Sequence, residues 1–205
     1  MMKTRDRILL CTLELFNEHG ESNVTTLEIA NELEISPGNL YYHFKGKEAL
    51  LDALVDDFVL STRSLLLSDD NPDDVEPEDL WLLLHLLFEA IATHRFLFQD
   101  LSNLMSRYPA LRQQMQPWIT ALRQRLEQVL QALHASEHLH ADDGERNRLL
   151  DALCQTCLFW LDYQRVCHPN DLDPASGVQQ MLGLLQPWLD AEGRDWVQGL
   201  IARYG

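Results

Sequence analysis

The chain has no long apolar run. Its longest, Leu80 to Ala92, is broken by His85 and Glu89 and falls short of the roughly 18 to 20 residues a membrane helix needs, so no membrane partner is expected. A disulfide framework is missing too, since four cysteines among 205 residues cannot staple a secreted domain. Met1 to Arg7 lack the charged-then-apolar layout of a signal peptide, and a reducing cytoplasm is the expected location. Nine glycines and eight prolines are too few for a fibre, while 46% hydrophobic residues suffice for a real core. No Gly-rich phosphate loop, His-Glu-x-x-His helix or Gly-x-Ser-x-Gly elbow occurs. The chain is therefore not read as an enzyme, and no catalytic residue, metal or cofactor is assigned.

Positive charge is scarce as well. Lys and Arg number 16 against 32 Asp and Glu, a net −16. The first fifty residues hold five basic and eight acidic groups, which leaves −13 of that total to the rest. Global acidity speaks against nucleic acid, yet docking obeys the local field of a few converging cations.

What is present is helix. Apolar residues recur at helical spacing and nowhere alternate like a strand. The expected fold is all-α with about nine to ten helices. Residues 1–48 form a three-helix head and residues 49–205 a larger bundle, with a helix from about 46 to 67 connecting the two. Ile8, Leu9, Leu13 and Phe16 line the first helix, which Gly20 stops. The acidic loop Ser68 to Asp74 is the clearest linker. From Pro77 onward a helix is apolar on nearly every side and is expected to be surrounded by others. A shorter helix spans about Phe98 to Tyr108. A long one follows from Ala110 to His134, with Pro117 a candidate kink. Ala141 to Gly144 reads as a turn, then a helix runs to about Val166. His168 to Asp171 breaks the chain before one or two last helices.

The head carries the most specific pattern. Thr25-Thr26-Leu27-Glu28 is a capping box, with Val24 and Ile29 placed as a hydrophobic staple. Ser36-Pro37 is a second start signal, Ser as N-cap and Pro at the first helical position. Only Leu33-Glu34-Ile35 separate the two helices, the length of a helix-turn-helix connection. The second helix, Pro37 to Phe44, is too short to stand alone and is anchored by Leu40 and Phe44. Its opposite face presents Gly38, Asn39, Tyr41 and Tyr42, with Lys45 and Lys47 next to it. Gly38 lets a partner approach, Asn39 can pair bidentately with adenine, and tyrosines can touch thymine methyls or donate to phosphate. Double-stranded DNA is the expected partner.

Phe16-x3-Gly20, Val24-Thr25-Thr26-x2-Ile29-Ala30 and the run from Ile35 to Leu50 (Ile-Ser-Pro-Gly-Asn-Leu-Tyr-Tyr-His-Phe-Lys-Gly-Lys-Glu-Ala-Leu) resemble the TetR family of bacterial transcription regulators. The resemblance covers about the first fifty-five residues. It implies that Ser36, Pro37, Gly38, Asn39 and Tyr41 enter the major groove. Thr25, Thr26, Tyr42, His43 and Lys47 would hold phosphates. Glu34 departs from the small residue usual in the turn, and Leu27 stands where some members carry an arginine. The same resemblance implies a homodimer, whose two heads would read a palindrome about one DNA turn (~34 Å) apart. Phe96 to Leu104 and Leu161 to Val166 look similar to the TetR-type regulators encoded with polyhydroxyalkanoate storage genes, which would imply a lipid-derived effector.

In the body, two apolar stripes near the C-terminus suit either intramolecular core or a symmetric interface; on the resemblance, Leu153, Cys157, Leu161, Met181, Leu185 and Trp188 are expected at a dimer interface. Trp81, His85, Phe88, Phe98, Met105, Trp118, Trp160 and Tyr163 are the expected lining of a pocket for a small apolar effector. Cys154-x-x-Cys157 lies inside an apolar helical stripe and reads as packing thiols, not a zinc knuckle. The rival reading of the whole is an acidic helical interaction protein that does not bind DNA.

Overall fold

A computed structural model describes residues 3–67, 77–168 and 173–202. Eleven α-helices occur among them: α1 (Thr4–His19), α2 (Thr26–Glu32), α3 (Pro37–His43), α4 (Lys47–Leu66), α5 (Pro77–Thr93), α6 (Arg95–Gln99), α7 (Leu101–Arg107), α8 (Pro109–Ala135), α9 (Asp143–Cys167), α10 (Pro174–Leu185) and α11 (Ala191–Ile201). Short 3-10 turns cover Glu21–Asn23 and Gln186–Trp188. The all-α class read from periodicity holds. The linker expected at Ser68 to Asp74 lies outside the described residues, and so do Pro169 to Asp171 of the expected break.

Two elements differ from the reading of the sequence. The helix expected from Phe98 to Tyr108 starts earlier and divides in two, because Asp100 takes a non-helical backbone (φ −146°, ψ 29°) between α6 and α7. Within the turn expected at Ala141 to Gly144, α9 already begins, with Asp142 as its N-cap and Asp143 its first residue. Asp142 Oδ1 accepts the Glu145 N–H and Glu145 Oε2 accepts the Asp142 N–H, both at 2.8 Å. That capping box uses Asp in place of Ser or Thr.

The chain divides into two compact units. One is Met1–Ser61 with His94–Gln116, and the other is Thr62–Thr93 with Pro117–Gly205. In the first, Phe16 meets Phe96 edge-on at 5.4 Å, and Phe58 meets Phe98 at 5.1 Å and His94 at 5.5 Å. The start of α6 has no cap of its own. Asn17 of α1 supplies one: its Oδ1 accepts the Phe96 N–H at 3.0 Å, and its carbonyl accepts the Arg95 Nε–H at 3.1 Å.

In the second unit, α10 packs on α5 and α9. The buried Phe88 ring lies where a side chain on Gly177 would be, a Cβ there falling 2.1 Å from Phe88 Cε1. Phe88 in turn meets Trp160 edge-on at 5.3 Å. Trp118 Nε1–H donates to Thr62 Oγ1 at 2.8 Å, both residues buried. The expectation that α5 is enclosed on every side is corrected, since Leu82 and Leu86, one helical turn apart, are exposed. Helix α8 runs unbroken through Pro117, which has no amide to offer the carbonyl of Gln113.

Candidate nucleic-acid interface

The head is built by local capping. Thr25 Oγ1 accepts the Glu28 N–H at 3.2 Å, and Glu28 Oε2 accepts the Thr25 N–H at 2.7 Å and the Thr25 hydroxyl at 2.8 Å. Val24 before the box and Ile29 after it are buried, as a staple requires. Helix α3 opens with Ser36 Oγ accepting the Asn39 N–H at 3.2 Å and Pro37 at its first position. Leu40 and Phe44 are buried beneath it.

The connection between α2 and α3 is a Schellman turn. The Glu34 N–H donates to the Asn31 carbonyl and the Ile35 N–H to the Ala30 carbonyl, both at 3.0 Å. Such a turn needs its central residue left-handed, and Glu34 has φ 55°. The departure noted in the sequence is thus strained backbone, for an L side chain there costs about 1–2 kcal/mol. Glu34→Gly is expected to raise stability by roughly 0.5–1 kcal/mol, less than the full strain because glycine also loosens the unfolded chain. Thermal unfolding of the two proteins checks it.

Ser36, Pro37, Gly38, Asn39, Tyr41, Tyr42, Lys45 and Thr25 are exposed, while Thr26, His43 and Lys47 are half-buried. The outward groups of α3 thus form one open face, with Tyr42 stacked edge-on against His43 at 5.2 Å. Lys45 lies back along the helix: its Nζ donates to the Tyr41 carbonyl at 3.1 Å and sits 4.7 Å from the Tyr41 ring centroid. The Thr25 hydroxyl proton is already spent on Glu28. Hydrogen-bonding tips, a small residue and nearby cations on a short, capped helix are what a reader of base edges presents.

Sequence reasoning missed Glu21 and Arg5. The Arg5 guanidinium stacks over the Phe44 ring at 4.9 Å, next to the head. Glu21 is buried, its side chain 2% exposed, and gathers three partners. Lys47 Nζ lies 2.9 Å and Arg107 Nη1 3.1 Å from its oxygens, and the Tyr108 hydroxyl donates to it at 2.7 Å. Burial alone would raise the Glu21 carboxyl, but the hydrogen bonds from Lys47 and Tyr108 and the charges of Lys47 and Arg107 outweigh it and hold the group low. The Tyr108 phenol is pushed up to about 12 by burial and by its bond to Glu21. No local pattern could have revealed this cluster, because Tyr108 is 87 residues away from Glu21.

A carboxyl lowered by folding stabilises above its ordinary value of about 4.5, and that contribution disappears as pH falls through the lowered one. The stability advantage of the wild type over Glu21→Gln is therefore expected to be constant from pH 6 to 7 and to shrink toward zero in acid below about 4. Unfolding midpoints taken across that range check it.

The expected dimer residues need correction. Leu153, Cys157, Leu161, Met181 and Leu185 are each 2% exposed or less, covered by their own chain. Their stripes face inward, α9 against α10 and α10 against α5. Trp188 is half-buried in a 3-10 turn, its carbonyl accepting the His140 N–H at 2.7 Å. The apolar groups that α9 leaves exposed are Phe159, Tyr163 and Val166. The expected pocket residues are drawn from both units. Phe98 and Met105 belong to the first unit and the other six to the second, where Tyr163 is exposed. Trp81 and His85 stack at 5.4 Å, half-buried, while Phe88, Trp118 and Trp160 are buried. Cys157 is buried, and burial pushes its thiol up; Cys154 is half-buried. No group of three or more His, Cys, Asp or Glu able to hold a metal occurs among the described residues. No described helix is long and apolar enough to cross a membrane.

Comparison with known proteins decides the lineage. Residues 8–54 match the tetR family of bacterial regulatory proteins, and residues 63–197 match a family described as a bacterial transcriptional repressor, TetR. The chain belongs to the TetR family. A solved TetR-family transcriptional regulator from Marinobacter aquaeolei is 31% identical over 99% of both chains, with a TM-score of 0.87. Tetracycline repressor protein class G of Vibrio anguillarum is 36% identical over 66 residues, 32% of this chain and 31% of that protein. The regulator UidR of Escherichia coli is 44% identical over 52 residues, 25% of this chain and 26% of that protein. This TetR-family chain thus spans about a third or less of the curated relatives it matches. A solved gamma-butyrolactone receptor, 20% identical with a TM-score of 0.64 over 98% of this chain and 96% of its own, shares the fold.

Proposed function

We propose that this TetR-family chain is a homodimeric transcription regulator that reads a palindromic operator in double-stranded DNA through α3, and that a small apolar effector alters its grip. The observation that carries the reading is Gly38. The fold does not require it: its φ is ordinary for any residue, and an added Cβ would meet nothing nearer than Ser36 Oγ at 3.9 Å. A glycine in a helix costs about 1 kcal/mol relative to alanine, so its presence on the open face is best explained by a partner that comes close. Gly38→Ala is therefore expected to raise stability by roughly 0.5–1 kcal/mol while weakening DNA binding.

Two further features support the reading. Phe159, Tyr163 and Val166 recur at helical spacing along α9 and are 44%, 57% and 77% exposed, an apolar face suited to a second copy. In the second unit, the buried Trp160 Nε1–H has no hydrogen-bond acceptor among the described groups, which favours an effector with an apolar body and one acceptor oxygen, as a lipid-derived molecule has. Selection from a random duplex pool tests the whole. An enriched inverted repeat supports the regulator. A pool that stays random at low salt overturns it in favour of an acidic interaction protein.

A further inference from the structure

The Glu21 carboxylate joins two stretches that are far apart in sequence but packed in one unit. Lys47 opens α4 immediately after the α3 face, whereas Arg107 and Tyr108 stand at the junction of α7 and α8. All three converge on one side chain that is 2% exposed. Arg107 also donates to the Tyr108 hydroxyl at 3.1 Å and lies over its ring at 5.1 Å, so the cluster is closed on itself. Lys47 is enclosed further by the Phe16 ring at 5.8 Å, with its side chain only 25% exposed. A lysine so placed cannot swing to a phosphate without stripping a buried carboxylate of its nearest cation, which is costly. The lysine expected at the DNA backbone is therefore tied to Glu21, with only a quarter of its side chain exposed.

We infer that Glu21 is a latch fixing the first turn of α4 to the α7–α8 junction, and that Lys47, Arg107 and Tyr108 govern DNA affinity through it as positioning residues, without touching phosphate. The inference rests on the DNA-binding reading above. It adds that the grip of α3 is set partly by residues 101–108. Opening the latch frees the first turn of α4, and with it the short helix that precedes it.

Salt dependence separates positioning from contact. Each phosphate neutralised contributes about −0.9 to the slope of log affinity against log salt, whereas a positioning residue changes affinity at constant slope. The probe is the duplex enriched by the wild type from the random pool. Tyr108→Phe and Lys47→Met are each expected to weaken binding about five- to tenfold with the wild-type slope, a typical size for coupling between sites. Lys47→Arg is expected to restore most of the loss, and Lys47→Met is expected to add nothing once Glu21 is glutamine. Tyr108→Phe removes a single hydroxyl and keeps the experiment readable should Glu21→Gln fold poorly. A shallower slope by about 0.9 per head for Lys47→Met, or wild-type affinity for Tyr108→Phe, overturns the latch alone. A wild type that enriches no duplex overturns the regulator reading itself.

Discussion

Asn39→Ala is expected to weaken binding of a two-headed operator about a hundredfold or more while leaving the fold intact. A bidentate Asn–adenine pair is worth about 1–3 kcal/mol of discrimination. In the proposed dimer the loss occurs once in each head, and losses at distant sites add. The Asn39 side chain is exposed, and its contribution to the start of α3 is the backbone N–H given to Ser36, which alanine retains. Stability is therefore expected to stay within about 0.5 kcal/mol of the wild type. Fluorescence anisotropy with the selected duplex and thermal unfolding of the same samples check both halves. Affinity that falls only in step with stability would contradict the base-reading role.

The second large effect is in the body. Gly177→Ala places a Cβ 2.1 Å from Phe88 Cε1 and 2.3 Å from Cδ1. The ring is fully buried and meets Trp160 edge-on, so moving it disturbs packed neighbours. Overpacking of this kind costs about 1–3 kcal/mol or more, against about 1 kcal/mol gained from replacing a helical glycine. The expected net loss is about 1–2 kcal/mol, or roughly 2–8 °C in the unfolding midpoint of a chain this long. Adding Phe88→Leu is expected to recover part of it, so that the double variant is less destabilised than the two single changes together. Calorimetry of the four proteins checks this.

The head could be read from the sequence because its determinants are neighbours. Thr25 with Glu28 and Ser36 with Asn39 are pairs three residues apart, so the start of each helix is written locally. Glu34 in place of a small turn residue points to a positive φ from the sequence alone, and the Schellman turn around it supplies the reason. Features made by distant partners were not legible. Asn17 caps a helix that begins 78 residues later, and the Glu21 cluster unites positions that no periodicity relates. The direction of the apolar stripes was not legible for another reason. An apolar stripe looks the same whether it faces its own core or a second copy, so Leu153, Leu161 and Met181 were assigned outward while the chain turns them inward. Phe159, Tyr163 and Val166 share α9 with them, and only the packing of α10 tells the two faces apart.

Helix α8 is a continuous rod of 27 residues, and the division between the two compact units falls within it, between Gln116 and Pro117. The proline deprives the rod of one rung there, and its ring crowds the turn before it. The turn of α8 around Pro117 is therefore the one that bends at least cost. Upstream of it, α8 opens directly after Tyr108, whose hydroxyl donates to the carboxylate of Glu21.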